Sequence, residues 1–343
     1  MNRIFLFALI FGFNVASGQV QNGLVKNTLN NFKANYYLTD NLTEQLSLFD
    51  YWFFIDYSAN SVDDYLHFDE RFNGKVKEII TKVYEVFSNK EQELKGERNE
   101  TFNTYNQKLI VKDIENGPSD ELSIRTRYYE YDANQKLTAL KSKIYYLDDN
   151  QEDIEIENNF FKHYKDSIVM TRSEEEIRTF FKDKSSNSHT TEPLNRLFTF
   201  HTKNGRIIKK IGGLTHDEDG TEHTMINYNE NGYEISGLSY FSTPFEGTVT
   251  HHKDRSEIEI IQVYPSYDMN VSHKLIYKYD EHQNIIRVKL YFLKKNGIEL
   301  EKPELTYDEK FVYKYDKYNN WISKKHINLI KNKTFLYTRE ITY

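Results

Sequence analysis

The amino-acid sequence predicts a mainly β protein: an antiparallel meander sheet of repeated β-hairpins, with a smaller, partly helical region at the N-terminus. Three observations lead there. The stretch "YKYDKYNNWISKKH" (313–326) is nearly repeated as "YKYDEHQNIIRVKL" (277–290). Short runs such as "LSIRTRYYEY" (122–131) and "SEIEIIQVY" (256–264) alternate apolar and polar residues, the signature of half-buried antiparallel strands. Clusters of Asn, Asp and Gly ("DANQ", "TKNG", "NENG", "EHQN", "KYNN") punctuate those runs. The 27 Tyr and 23 Phe against 14 Gly and 5 Pro fit strands as well. The order of the tyrosines carries more weight than their number, because the chain is rich in AT-encoded residues generally.

Residues 1–18 read as a signal peptide. Arg3 gives a positive start, Ile4 to Phe13 is an apolar run too short to cross a bilayer, and Ala16 and Gly18 suit cleavage before Gln19. The mature chain is therefore expected to be exported, periplasmic or extracellular, and not inserted in a membrane. The chain has no cysteine, so neither a lipid anchor on Cys nor a disulfide is available. The net charge of −7 leaves no basic footprint for nucleic acid.

Residues 19–100 form the expected partly helical region. Val76, Ile79, Ile80, Val83 and Phe87 lie on one face of a helix drawn over 73–90, with Asn73 as its N-cap. The aromatic segment 47–58 is expected to be buried, as strand or helix, and the charged stretch 89–100 to be an exposed connection.

Residues 101–343 form the expected hairpin domain, with turns centred near 133, 203, 231, 282 and 318. Five segments superpose without gaps: Tyr131 to Lys136, Phe200 to Gly205, Tyr228 to Tyr233, Tyr279 to Asn284 and Tyr315 to Asn320. In each, an Asp or Asn after the strand can accept bonds from the next backbone N–H groups and start a turn. A following residue must then take positive φ, which Gly205, Gly232, Asn319 or Asn320 can do. Gln135 and Gln283 fit that role poorly, so their turns are expected to use a neighbour or another geometry. The uneven spacing leaves room for weaker hairpins at 160–177 and 247–261, and a regular propeller is excluded.

"YDKYNNW" and "YDEHQNI" resemble the Y-D-x-x-G-N core of YD repeats in RHS-type proteins. They are more similar still to the short exported YD/MORN-like repeat proteins of Bacteroidetes, with which the "TREITY" ending (338–343) also agrees. The resemblance covers about 120–343 and implies a β-hairpin repeat fold. The chain is too short to build an RHS toxin-enclosing shell.

The richest cluster of ligating side chains is the loop "THDEDGTEHT". His216, Asp217, Asp219, Glu222 and His223 offer oxygens to Ca²⁺ or nitrogens to Zn²⁺, although no full Ca²⁺-loop pattern is present. His251 and His252 are neighbours on a strand and point to opposite faces. The sequence contains no G-x-S-x-G, H-E-x-x-H, P-loop or G-x-G-x-x-G motif. Tyr277, Tyr279, Tyr313, Tyr315 and Trp321 form rows that would make an aromatic binding platform if exposed, or core if buried. Together these features point to a non-catalytic, exported binding or scaffold protein of the cell envelope without a cofactor, its partner an envelope protein or a polysaccharide. A periplasmic metal-dependent hydrolase and a toxin-neutralising protein of immunity type are the alternatives.

Overall fold

The computed structural model describes residues 72–343 apart from 117–121, 148–150, 183–184, 191–193, 205, 215–221, 230–231, 239–243, 253–254, 265–268, 283 and 296–297. Among the described residues, nineteen strands form one antiparallel sheet. In chain order they are β1 Glu78–Val86, β2 Gln92–Phe102, β3 Lys108–Asn116, β4 Leu122–Tyr131, β5 Leu137–Leu147, β6 Gln151–His163, β7 Ser167–Lys182, β8 Ser185–Thr190, β9 Leu194–Lys203 and β10 Arg206–Leu214. They continue as β11 Glu222–Asn229, β12 Gly232–Leu238, β13 Pro244–His251, β14 Arg255–Tyr264, β15 Met269–Tyr279, β16 Ile285–Lys295, β17 Ile298–Tyr315, β18 Trp321–Asn328 and β19 Lys333–Thr342.

Each strand pairs with the next, with one exception: β7 pairs β9 along its first half and the short β8 along its second. β1 pairs both β2 and β19. The meander therefore closes on itself, and all strands but β8 belong to a ring, which pairs most of the backbone that a flat sheet leaves exposed at its edges.

The helix expected over 73–90 is instead strand β1 with an extended lead-in. Its Ile79, Thr81 and Val83 are buried on the inner face, and Ile80, Lys82 and Tyr84 face out. The 0, 3, 4, 7 spacing of Val76, Ile79, Ile80 and Val83 fits a helix, while Ile79, Thr81 and Val83 keep the period of a strand. Tertiary pairing decides it: ladders on both sides satisfy the backbone, and β-branched Ile, Thr and Val suit a strand. The charged stretch 89–100 is likewise mostly β2, so the expected boundary at residue 100 falls inside a strand. Segment 47–58 and the signal peptide lie outside the described residues.

The repeat turns at Asp132, Asp280 and Asp316 sit where the sequence places them, at one end of the ring. Asp132, Asp280 and Asp316 each use one carboxylate oxygen to accept the N–H groups two and four residues on, at 2.8–3.0 Å. Asn103 does the same with its amide oxygen for Tyr105 and Gln107. The residue in the left-handed region is Asn106 (φ 59°), Gln135 (φ 63°) or Asn319 (φ 64°). The register slips by one just before each of these turns. Together these features make a type I turn closed by a bulge. Gln135 thus takes the conformation that its side chain favours least.

Neighbouring hairpins splay near this end, and rings staple the notches. The hydroxyls of Tyr131, Tyr228 and Tyr313 donate to the carbonyls of Lys108, Ile207 and Ile285, each just after the preceding turn. The Tyr315 hydroxyl donates to the Asp280 carboxylate and accepts from Asn284 Nδ2. Tyr343 repeats that arrangement one hairpin on, donating to Asp316 and accepting from Asn320. Burial, with the Asp316 bond, pushes its phenol up to about 12.

Asn320 also bonds both the N–H and the carbonyl of Asn73, each at 2.8 Å. Asn106 donates to Gly74 O and accepts from Val76 N–H. Residues 73–76 thereby strap the last repeat turn to the first across the closure. Gly74 is required there: its φ is +83°, and a Cβ would meet the Tyr343 ring at 3.3 Å.

Candidate binding interior

The inward face divides into two tiers. Near the turn end it is apolar. Phe200, Ile207, Tyr233, Tyr277 and Val288 have no solvent exposure, and one cluster of buried side chains runs from Val111 to Phe311. Rings of this number of strands can hold a water-filled channel, but here the interior is closed to solvent at that level. A second cluster joins Val83, Trp321, Phe335 and Tyr337 at the closure. Lys324 Nζ lies 3.9 Å from the Tyr337 centroid, and the Arg339 guanidinium lies 3.4 Å from that of Trp321. Buried Lys324 and half-buried Arg339 thus rest on aromatic faces.

Beyond the apolar tier, the same inward positions on β2 to β9 turn polar. Arg98 is buried and holds Asp113 with two bonds, of 2.5 and 3.0 Å. Arg127 adds a third, of 2.5 Å. Burial opposes a charge on Asp113, but Arg98 and Arg127 outweigh it and hold the carboxyl far below its usual range. Arg172 bonds buried Asn159 and pairs with Glu157 and Glu174, and Glu174 also pairs with Arg196. Arg178 bonds Asp153 and Glu176. Glu155 lies opposite Glu176 in the register. It reaches water, yet its enclosure within the ring and the nearby Glu176 and Asp153 push its carboxyl up.

Exposure grows along this wall: the Arg98 side chain is 3% accessible, Arg172 13% and Arg178 43%. The interior therefore opens towards the end opposite the repeat turns, with paired guanidinium and carboxylate groups at the opening. Held in fixed forks, such groups donate and accept hydrogen bonds in defined directions.

The outward face also carries charge. Lys82 pairs with Glu97 at 3.7 Å, Lys274 with Glu257 and Glu259 at 3.0 and 2.8 Å, and Lys141 with Glu130 at 2.6 Å. Arg287 grips Asp308 through two bonds, of 2.7 and 2.6 Å.

The aromatic rows singled out in the sequence are core. Tyr277, Tyr279 and Trp321 are buried on the inner face, and Tyr313 and Tyr315 are half-buried stapling rings. They present no exposed platform, because every second position of these strands points into the closed ring. Of the proposed metal ligands, His216, Asp217 and Asp219 lie outside the described residues. Glu222 and His223 are adjacent on β11, in register with Gly212 and Ile211 of β10. Among the described residues, no group of three or more ligating side chains converges.

The charged tier was not singled out in the sequence. Its signal was there: Arg125, Arg127, Asp153, Glu155 and Glu157 keep period two on strands whose other face carries Ile124, Ile154 and Ile156. With apolar residues on that opposite face, the alternation reads naturally with the charges outside. Only the closure of the ring shows that they point in.

No family model matches the chain, and no curated protein matches it. Among solved structures it is similar to a porin-like protein from Bacteroides uniformis, with 9% identity and a TM-score of 0.42, covering 79% of this chain and 98% of that one. A porin-like protein from Bacteroides vulgatus overlaps 77% of this chain and 98% of its own, with 9% identity and a TM-score of 0.26. At these values the likeness assigns no residue a role.

Proposed function

We propose that the protein is an exported, non-catalytic binding protein of the cell envelope that takes a saccharide chain into its charged interior. The observation that carries this reading is the inward tier of Arg–carboxylate pairs, open at one end and closed by an apolar floor at the other. Forked guanidinium and carboxylate groups match the paired hydroxyls of sugars, and the enclosure favours a narrow chain over a folded partner. The charge pairs on the outer wall support a barrel that works in water.

The test is calorimetric titration of the mature protein with oligosaccharides prepared from envelope polysaccharide. Arg178→Gln and Glu176→Gln lie at the opening and are expected to weaken binding at least tenfold with the melting temperature kept. Binding unaffected by either change, or no binding at millimolar ligand, contradicts the reading. Recovery of the uncleaved chain from the cytoplasm, with residues 1–18 attached, contradicts its exported part.

A further inference from the structure

The ring has one weak joint. β10 and β11 pair only from Lys209–Met225 to Gly212–Glu222, four register pairs. The seams stapled by Tyr131 and Tyr313, β3–β4 and β16–β17, carry seven or more. Towards the turn end, β10 stays with β9 and β11 stays with β12, so the two halves of the wall diverge. Ile208 is the bulge residue of β10 and has no register partner on β9 or β11. The main chain of Ile226 and Asn227 pairs with β12 alone. Tyr228 spans the gap with its bond to Ile207 O.

The divergence leaves a cleft of about 570 Å³ lined by Lys203, Asn204, Ile208, Lys209, Met225 and Asn227 among others. Its chemistry is mixed. Ile208 and Met225 give an apolar patch, and Met225 is 41% exposed. Lys203 and Lys209 put two cations on its rim, and among the described residues neither has an ion-pair partner. The cleft thus combines strand backbone without a second neighbour, an apolar patch and a positive rim.

We propose that this slot binds an extended peptide segment in which an acidic side chain stands beside an apolar one. An extended chain offers alternating N–H and C=O groups to strand edges, as in β-augmentation. Its apolar side chain would lie on Met225 and Ile208, and its carboxylate would meet Lys203 and Lys209. The slot is on the wall and separate from the charged interior, so this binding does not depend on the saccharide reading.

The chain has no cysteine, so Met225→Cys provides a unique attachment point for an environment-sensitive fluorophore that reports occupancy. Binding itself is measured on the unlabelled protein by anisotropy of a fluorescein-tagged hexapeptide of alternating leucine and glutamate, beside a twin with glutamine for glutamate. The glutamate peptide is expected to bind at least tenfold more tightly than its twin. The double change Lys203→Gln with Lys209→Gln is expected to abolish that preference while leaving the melting temperature unchanged, since both side chains are at the surface. Arg178→Gln, in the interior, should leave it intact. Equal binding of the two peptides, no binding at millimolar peptide, or a preference removed by Arg178→Gln and kept in the lysine variant would each overturn the proposal.

Discussion

Replacing Asn320 with Ala removes the strap across the closure and nothing else of size. The Asn320 side chain makes three hydrogen bonds of 2.8 Å, two with the main chain of Asn73 and one with the Tyr343 hydroxyl. Its own N–H bond to Asp316 survives the change. A net hydrogen bond contributes about 0.5–1.5 kcal/mol, and three give a ceiling near 4. Asn73 is exposed, so water re-satisfies part of what is lost. The expected cost is about 2–3 kcal/mol, or a melting temperature lower by about 3–5 °C for a chain of this size. Asn320→Asp keeps the acceptor and loses both donated bonds, so it should fall between Ala and wild type below pH 4, where the acid is neutral. Urea denaturation measures the cost, and hydrogen exchange shows where it falls: amides of Ile79–Val83 and of β19 should exchange faster than those of β6. A cost below about 0.5 kcal/mol, with exchange in β1 unchanged, refutes the strap.

Asn319 is left-handed and Asn320 is not, so Asn319→Gly should be neutral or stabilising and Asn319→Val should cost about 1 kcal/mol or more in thermal melts. Gln135→Gly should stabilise for the same reason, since Gln135 holds φ 63°. Asp113→Asn should cost about 3–5 kcal/mol at neutral pH, because two guanidiniums lose their shared carboxylate. Its folded-state pKa is depressed, so its stabilisation is full above about pH 4 and is lost as the pH falls. Acid titration of stability should therefore be shallower in the variant than in wild type. Glu155 is shifted the other way: its protonated form is favoured in the fold, so its contribution is full below about pH 4.5 and is lost as the pH rises. Glu155→Gln should stabilise by a few tenths of a kcal/mol at pH 7, with the gain vanishing near pH 4 in paired denaturation curves.

The hairpin repeats were legible because each turn is local. An Asp or Asn bracket, a residue at positive φ and the flanking aromatic sit within six positions, and the turns at Asp132, Asp280 and Asp316 lie where that pattern puts them. The two weaker hairpins were legible from the gaps in the repeat spacing, and they are β6–β7 and β13–β14. Closure was not legible, because it joins residues some 260 positions apart and rests on the pairing of β1 with β19. Missing it led to two further errors. β1 read as a helix because Ile79, Ile80 and Val83 fit one helical face, and the alternation of Ile79, Thr81 and Val83 gains its meaning only from the partner strands. The tyrosine rows read as a possible surface because alternation gives two faces and does not say which is inside. The same ambiguity hid the charged interior: Arg98 and Glu100 sit in a stretch too polar to look like a strand, and only the ring buries them.

The closed ring is tested most directly by a disulfide across β1 and β19. Lys82 and Thr338 are register partners on the outward face. Antiparallel partners have Cα atoms about 4.5–5.5 Å apart, within disulfide range. With no native cysteine to compete, Lys82→Cys with Thr338→Cys should oxidise rapidly to an intramolecular bond, seen as a faster-migrating monomer in non-reducing gels that reverts on reduction. An open sheet of the same strand order would place β1 at an edge beyond β2 and leave β19 at the other, about 80 Å away at ~4.8 Å per strand. Free thiols, or only cross-linked dimers, after oxidation of the folded double variant would contradict the closure.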